Sequence, residues 1–299
     1  MREIVVISGK GGTGKTSITA AFAHVADNVM LCDLDVDAPD LHLLLAPRLE
    51  EEHAFRSGYE AYIDPLLCTG CGLCASLCQF DAVRKGGTED FQIDPLRCEG
   101  CKVCVHFCPA KAVAFTERYC GQWYVSSMRF GPMVHARLFP GQENSGRLVA
   151  ILKKEARQRA ESQGIPLVLC DGAPGIGCPV ISSLSGAGLA VIVTEPTPSG
   201  RHDLARVAEL CTHFRIPASV IINKYDLNTS NSREIEQYCR HNGHELLGML
   251  PYDEVVTQAM LQGQCVTEMP EAAFAKSIRD IWQRIVSLPS GGRGHLQHH

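Results

Sequence analysis

The chain of 299 residues predicts an α/β fold: a parallel sheet with helices on both faces, interrupted by a small α+β insert. Three observations predict it. Apolar strand-like runs alternate with helical patterns along most of the chain. The first run leads into a glycine-rich turn and then a helical stretch. After the second run, a four-cysteine pattern occurs twice in tandem.

The first strand is expected at 3–7 and the helix after it at about 15–26. Between them, Gly9-Lys10-Gly11-Gly12-Thr13-Gly14-Lys15-Thr16 matches G-x4-G-K-[ST], the phosphate-binding P-loop, in the strand–loop–helix context the motif requires. The glycines let backbone N–H groups of Gly11, Gly12, Thr13 and Gly14 curl around phosphates at a helix N-terminus. Lys15 is expected on the β- and γ-phosphates, Thr16 on Mg²⁺ and Ser17 on the α-phosphate. A strand at 29–33 follows, and its end carries Asp33, Asp35 and Asp37. Pro39 and Asp40 suit the start of a short helix, which the aspartates could simply cap.

The insert is expected at 59–116. Cys68, Cys71, Cys74 and Cys78, then Cys98, Cys101, Cys104 and Cys108, each read C-x2-C-x2-C-x3-C, with Pro109 after the second run and Gln79 after the first. Ile63-Asp64-Pro65-Leu66 returns as Ile93-Asp94-Pro95-Leu96 at an offset of 30 residues, so two half-domains related by a pseudo-twofold are expected. Each half is too small to fold alone, and bound clusters would supply the missing core. Zinc knuckles come as separated C-x2-C pairs, which fits less well.

The alternating strand and helix pattern resumes with a helix at about 145–163 and a strand at 167–171 that ends in Asp171 and the turn Gly172-Ala173-Pro174-Gly175-Ile176-Gly177. Helices near 177–185, 200–214, 231–242, 254–262 and 271–287 alternate with strands at 189–194, 218–222 and 245–249. Residues 117–146 are expected to form a hairpin, with His135 a hydrogen-bonded hairpin residue. Phe274, Ile278, Ile281, Trp282 and Ile285 give the last helix an apolar face that packs on the sheet rather than on a membrane. Residues 291–299 read as a disordered tail. One discontinuous domain, 1–58 with 117–290, is thus expected to enclose the insert.

The cysteine runs resemble those of bacterial ferredoxins with two [4Fe-4S] clusters. In such pairs the fourth cysteine of each run crosses to the other cluster. The resemblance implies one cluster on Cys68, Cys71, Cys74 and Cys108, and another on Cys98, Cys101, Cys104 and Cys78. The lysine at position 10, in K-G-G-x-G-K-T, is similar to the deviant Walker A loop of the MinD/Mrp-type P-loop ATPases, relatives of the nitrogenase iron protein. That resemblance implies a nucleotide-dependent homodimer in which Lys10 reaches the partner's nucleotide. It also implies that Asp35 orients the attacking water, with Asp33 and Asp37 as nearby alternatives, and that Asp171 reaches Mg²⁺ through a water. Asn223-Lys224-Tyr225-Asp226 also fits the guanine signature N-K-x-D; the family resemblance implies ATP, with Asn223 on the adenine edge and Pro251 beside the base. Cys178 lies where the nitrogenase iron protein bridges its dimer with two cysteines per subunit, but a second one is not found.

Composition bounds the rest. About 45% apolar content indicates an ordinary globular protein, and net charge −5 gives no nucleic-acid-binding face. No apolar stretch is long enough to span a bilayer, and Met1 leads directly into a strand, so a cytoplasmic location is expected. The combination implies an ATPase that couples a dimer switch to electron transfer with an unknown redox partner. The alternatives are an iron–sulfur carrier acting on a client protein, or a positioning switch with structural or sensing clusters.

Overall fold

The computed structural model describes residues 1–87, 90–269 and 273–289. The expected tail, 291–299, lies outside the described residues. In chain order the elements are β1 (Arg2–Ser8), α1 (Lys15–Val25), β2 (Val29–Asp33), α2 (Leu41–Leu45), β3 (Arg48–Ile63), α3 (Leu73–Leu77), β4 (Val83–Lys85), β5 (Phe91–Ile93), α4 (Val103–Phe107), β6 (Val113–Met128) and β7 (Gly131–Leu138). There follow α5 (Ser145–Ser162), β8 (Leu167–Pro174), α6 (Cys178–Leu184), β9 (Leu189–Thr194), α7 (Pro198–His213), β10 (Ala218–Asn223), α8 (Thr229–His241), β11 (Glu245–Leu250), α9 (Glu254–Leu261) and α10 (Ala273–Ser287).

Among the described residues, the large sheet has the order β11-β10-β9-β1-β8-β2-β7-β6-β3. From β11 to β7 every neighbouring pair is parallel. The six strands expected from apolar runs are all present; β1, β2, β8, β9 and β10 are buried on both faces and their composition records that burial, while the edge strand β11 is buried at Leu247 and Leu250. The expected helices are present within about two residues at their ends. Phe274, Ile278, Ile281, Trp282 and Ile285 of α10 are all buried, and Trp282 packs on Phe22 of α1 with ring centroids 5.2 Å apart. No described helix is long and apolar enough to cross a membrane.

The chain divides into two compact units. One comprises Met1–His53, Gln122–Leu138 and Asn144–His299; the other comprises Ala54–Gly121 and Phe139–Glu143. The second unit is wider than the expected 59–116. Its extra residues are held by local contacts: the Phe139 N–H donates to the Cys120 carbonyl at 2.8 Å, and the Phe139 ring meets Tyr119 edge-on at 5.0 Å. The expected hairpin over 117–146 is the β6–β7 pair, joined by Arg129 and Phe130. Within it His135 Nε2 lies 2.9 Å from Ser126 Oγ.

The 16-residue strands β3 and β6 were not expected as such. In β3 the sequence Arg48-Leu49-Glu50-Glu51-Glu52-His53 carries charge on successive residues, so no apolar alternation marks it. Backbone pairing at the sheet edge makes the strand there.

Candidate functional site

In the first unit, β1 and α1 meet at a loop in which Gly12 and Gly14 take φ of 81° and 85°, a region that favours glycine. The loop's carbonyls are tied outward. Asn223 Nδ2, at the end of β10, donates to the Thr13 carbonyl at 2.8 Å, and Lys224 Nζ donates to the Gly12 carbonyl at 3.2 Å. In a planar trans peptide the carbonyl and the next N–H point opposite ways. Fixing these two carbonyls therefore turns the N–H groups of Thr13 and Gly14 toward the inside of the loop, where an anion would sit.

Carboxylates gather beneath the loop. Asp33 and Asp171 are register partners on β2 and β8. Lys15 Nζ lies 2.9 Å from Asp171 Oδ1 and 3.7 Å from Asp35 Oδ2. Thr16 Oγ1 donates to Asp171 Oδ2 at 2.8 Å, and Thr19 Oγ1, one turn on along α1, donates to Oδ1 at 2.9 Å. Burial works to lower the Lys15 ammonium, but Asp171, Asp35 and Asp33 outweigh it and hold the pKa above its ordinary value. Burial, then the Asp171 charge, pushes the Asp33 carboxyl well up. Burial also raises Asp35, against the pull of Lys15.

Thr13 Oγ1 and Asp33 Oδ2 are buried yet have no hydrogen-bond partner. Orphaned polar groups of this kind are costly unless a ligand satisfies them. With the Lys15 ammonium, a hydroxyl and a carboxylate are also the donor set that phosphate with a hard divalent cation takes, so the residues fit nucleotide and Mg²⁺.

The second unit has a small apolar centre, Ala61, Ile63 and Val113, packed against cysteines. Its two halves repeat in detail. The Asp64 N–H donates to Ala112 O at 2.8 Å, and the Asp94 N–H to Ala82 O at 2.7 Å. Gly70 and Gly100 share positive φ (70° and 64°), as do Gly72 and Lys102 (75° and 65°). Each half leaves one cavity. One is lined by Cys68, Cys71, Cys74 and Cys108; the other by Cys98, Cys101, Cys104 and Cys78. Every cysteine is a free thiol. No three ligating side chains among the described residues converge on a single ion. Thiols that surround a cavity without meeting at one point fit a multinuclear group better than one tetrahedral zinc, whose Zn–S bonds are about 2.3 Å.

Comparison with known proteins is consistent with the loop geometry. Residues 4–266 match the model of the CobQ/CobB/MinD/ParA nucleotide-binding domain. The chain belongs to the CobQ/CobB/MinD/ParA family. An uncharacterized protein of Methanocaldococcus jannaschii is 35% identical over 234 residues, 77% of this chain and 80% of that one. Among solved structures, the cell division ATPase MinD of Pyrococcus furiosus gives a TM-score of 0.58 at 17% identity, covering 96% of this chain and 99% of that one. MinD of Pyrococcus horikoshii, solved with Mg-ADP, gives 0.57 at 17% identity, covering 96% of each. At that identity the two structures share the fold.

Within this MinD/ParA-family chain, Lys15, Thr16, Asp35 and Asp171 come together as the sequence led one to expect. Lys10 stands apart from them, with Nζ 3.5 Å from Glu195 Oε2 and 3.4 Å from the hydroxyls of Thr197 and Ser199. Ser17 Oγ contacts Met260 Sδ at 3.4 Å. Asn223 sits at the end of β10, beside the loop. Its Nδ2 holds the Thr13 carbonyl, its Oδ1 accepts the Lys224 N–H at 3.1 Å and it is only 6% exposed, so here it braces the loop. Pro251 follows β11, and the next N–H, of Tyr252, donates to Asp226 Oδ1 at 2.7 Å. Sequence reasoning missed Glu195, which holds Lys224 at 2.6 Å, and Thr19. The signal for Thr19 was its i+4 spacing from Lys15; Glu195 had none. Cys32 and Cys170 are buried strand residues, and Cys178 is exposed at the start of α6.

Proposed function

We propose that this chain is an ATP-hydrolysing dimer switch whose second unit holds two [4Fe-4S] clusters, and that nucleotide state governs electron transfer through them. One observation carries the reading: a P-loop with converged lysine, threonine and aspartates shares a chain with two cavities, each lined by three cysteines of one run and the fourth of the other. When bound, such clusters supply reversible one-electron storage. The chain's own residues do the rest. Lys15 leaves its ion pair with Asp171 to neutralise the β- and γ-phosphates, and Thr16 turns its hydroxyl from Asp171 to Mg²⁺. Asp171 would then face the Mg²⁺ site, and Asp35, the more exposed of the two acids near Lys15, would orient the attacking water. Lys10 leaves Glu195 to stabilise charge on the partner protomer's nucleotide in a closed homodimer. Pro251 and Asn223 bound the adenine side. We place the protein in the cytoplasm with an unidentified redox partner.

A second reading, a carrier that delivers clusters to client proteins, is favoured by the exposure of Cys71 and Cys101. Rapid loss of iron to a chelator together with ATP-dependent activation of an apo-client would select it.

The deciding experiment is iron and sulfide analysis of anaerobically purified protein, with EPR in the presence of ATP, ADP or no nucleotide. About eight iron and eight sulfide per chain are expected, for two four-iron clusters. Colourless, zinc-loaded protein would overturn the cluster assignment. Electron transfer to an acceptor at one rate in all three nucleotide states would overturn the coupling.

A further inference from the structure

The two cysteine cavities are built on one repeat, yet their walls differ in charge. Among the described residues, no charged side chain lines the Cys68 cavity, whose wall includes Thr69, Gly72 and Phe91. At the equivalent places the Cys98 cavity has Glu99, Lys102 and Ala61. The exchange is coordinated. A Cβ on Gly72 would lie 3.3 Å from Phe91 Cζ, so the first half leaves little room for a side chain there. Ala61 in the second half makes the room that Lys102 takes.

Lys102 occupies it at φ 65°, where glycine is favoured and an L side chain is strained. Strain of this kind persists where the surroundings hold it in place and often marks a functional position. Here the surroundings are two rings. Lys102 Nζ lies 4.5 Å from the Phe115 centroid and 5.7 Å from that of Tyr59, and the rings stack 5.1 Å apart. Phe115 packs on the same apolar centre, Ala61, Ile63 and Val113, as the cysteines do. A second cation, Arg118, donates to the Cys98 carbonyl, with Glu60 3.7 Å from its Nε. Glu99 carries the opposite charge on the same wall and is exposed, as Lys102 is, but the two rings fix only the lysine in place.

We infer that the two clusters are unequal electron acceptors: the one in the Cys78, Cys98, Cys101 and Cys104 cavity is the more easily reduced, and Lys102 makes it so. The inference rests on the reading that these cavities hold clusters. Adding an electron makes a cluster more negative, and a fixed cation beside it stabilises that form, so its potential lies higher. Electrons from a low-potential one-electron donor therefore settle first in this half, which makes the Cys68 half the one that gives up electrons more readily once both are reduced.

The test is an anaerobic redox titration of the full chain, read by EPR, with iron counted on the same samples. Two waves are expected. Lys102→Gly, which relieves the strained backbone and matches the first half, is expected to keep all the iron, move the higher wave down and leave the lower one in place. Lys102→Gln, which keeps a side chain there but not the charge, is expected to do the same, and Glu99→Gln to move that wave up. Both clusters present with neither wave moved by the Lys102 variants, or with the lower wave moved, would overturn the inference alone. Wild-type protein without iron would overturn the cluster reading, and this inference with it.

Discussion

Replacing Gly14 by alanine tests how the nucleotide loop is held. At φ 85° an L residue costs about 1–2 kcal/mol. The new Cβ would also lie 2.4 Å from Asn223 Nδ2, so the amide must move and its bond to the Thr13 carbonyl breaks. Losing a buried hydrogen bond of that kind costs about 1–3 kcal/mol. The two effects together give a destabilisation of roughly 2–5 kcal/mol. Two neighbours calibrate it. Gly12 has φ 81° but open space around its Cβ position, so Gly12→Ala should cost only the backbone part, about 1–2 kcal/mol. Gly11 has neither positive φ nor a neighbour within 4 Å, so Gly11→Ala should fall within about 0.5 kcal/mol of the parent. Urea unfolding of nucleotide-free protein, followed by tryptophan fluorescence, measures the series. Both tryptophans, Trp123 and Trp282, lie in the first unit and so report the unit that carries the loop. Equal losses for Gly12→Ala and Gly14→Ala would show that Asn223 does not brace the loop.

Three further outcomes are expected. Cys108→Ala should remove the same EPR signal as Cys68→Ala and leave the one that Cys98→Ala removes; the opposite pairing would mean each run binds its own cluster. Lys10→Ala should slow ATP turnover by roughly 10³-fold or more if the lysine acts as an arginine finger does, while stability stays within about 1 kcal/mol because its contacts here are long and half-exposed. His135 is held down to about 4, by burial first and then by His42, so its neutral form supports the fold. That contribution is full above the ordinary value of 6.5 and is lost as pH falls from there toward 4. The loss between about pH 7 and about pH 5 should be near 2 kcal/mol, and His135→Asn should flatten it in urea titrations.

Much of this molecule can be read from its residue order alone. Strands buried on both faces must be apolar throughout, so β1, β2, β8, β9 and β10 announce themselves. Gly12 and Gly14 stand where left-handed backbone is needed, and the ferredoxin resemblance, not the spacing itself, implied that each run lends its fourth cysteine to the other. The tertiary structure decided what no local pattern carries. β3 and β6 are strands because of the sheet edge they join, not because of their own alternation. Asn223 lies 210 residues from the Thr13 it holds, and Glu195 meets Lys10 and Lys224 only where β1, β9 and β10 end side by side. The unequal walls of the two cysteine cavities came from the fold as well, since Lys102 gains its rings from Tyr59 and Phe115. Spacing along a chain specifies which groups one turn or one strand can present; which distant groups meet them depends on how the layers pack.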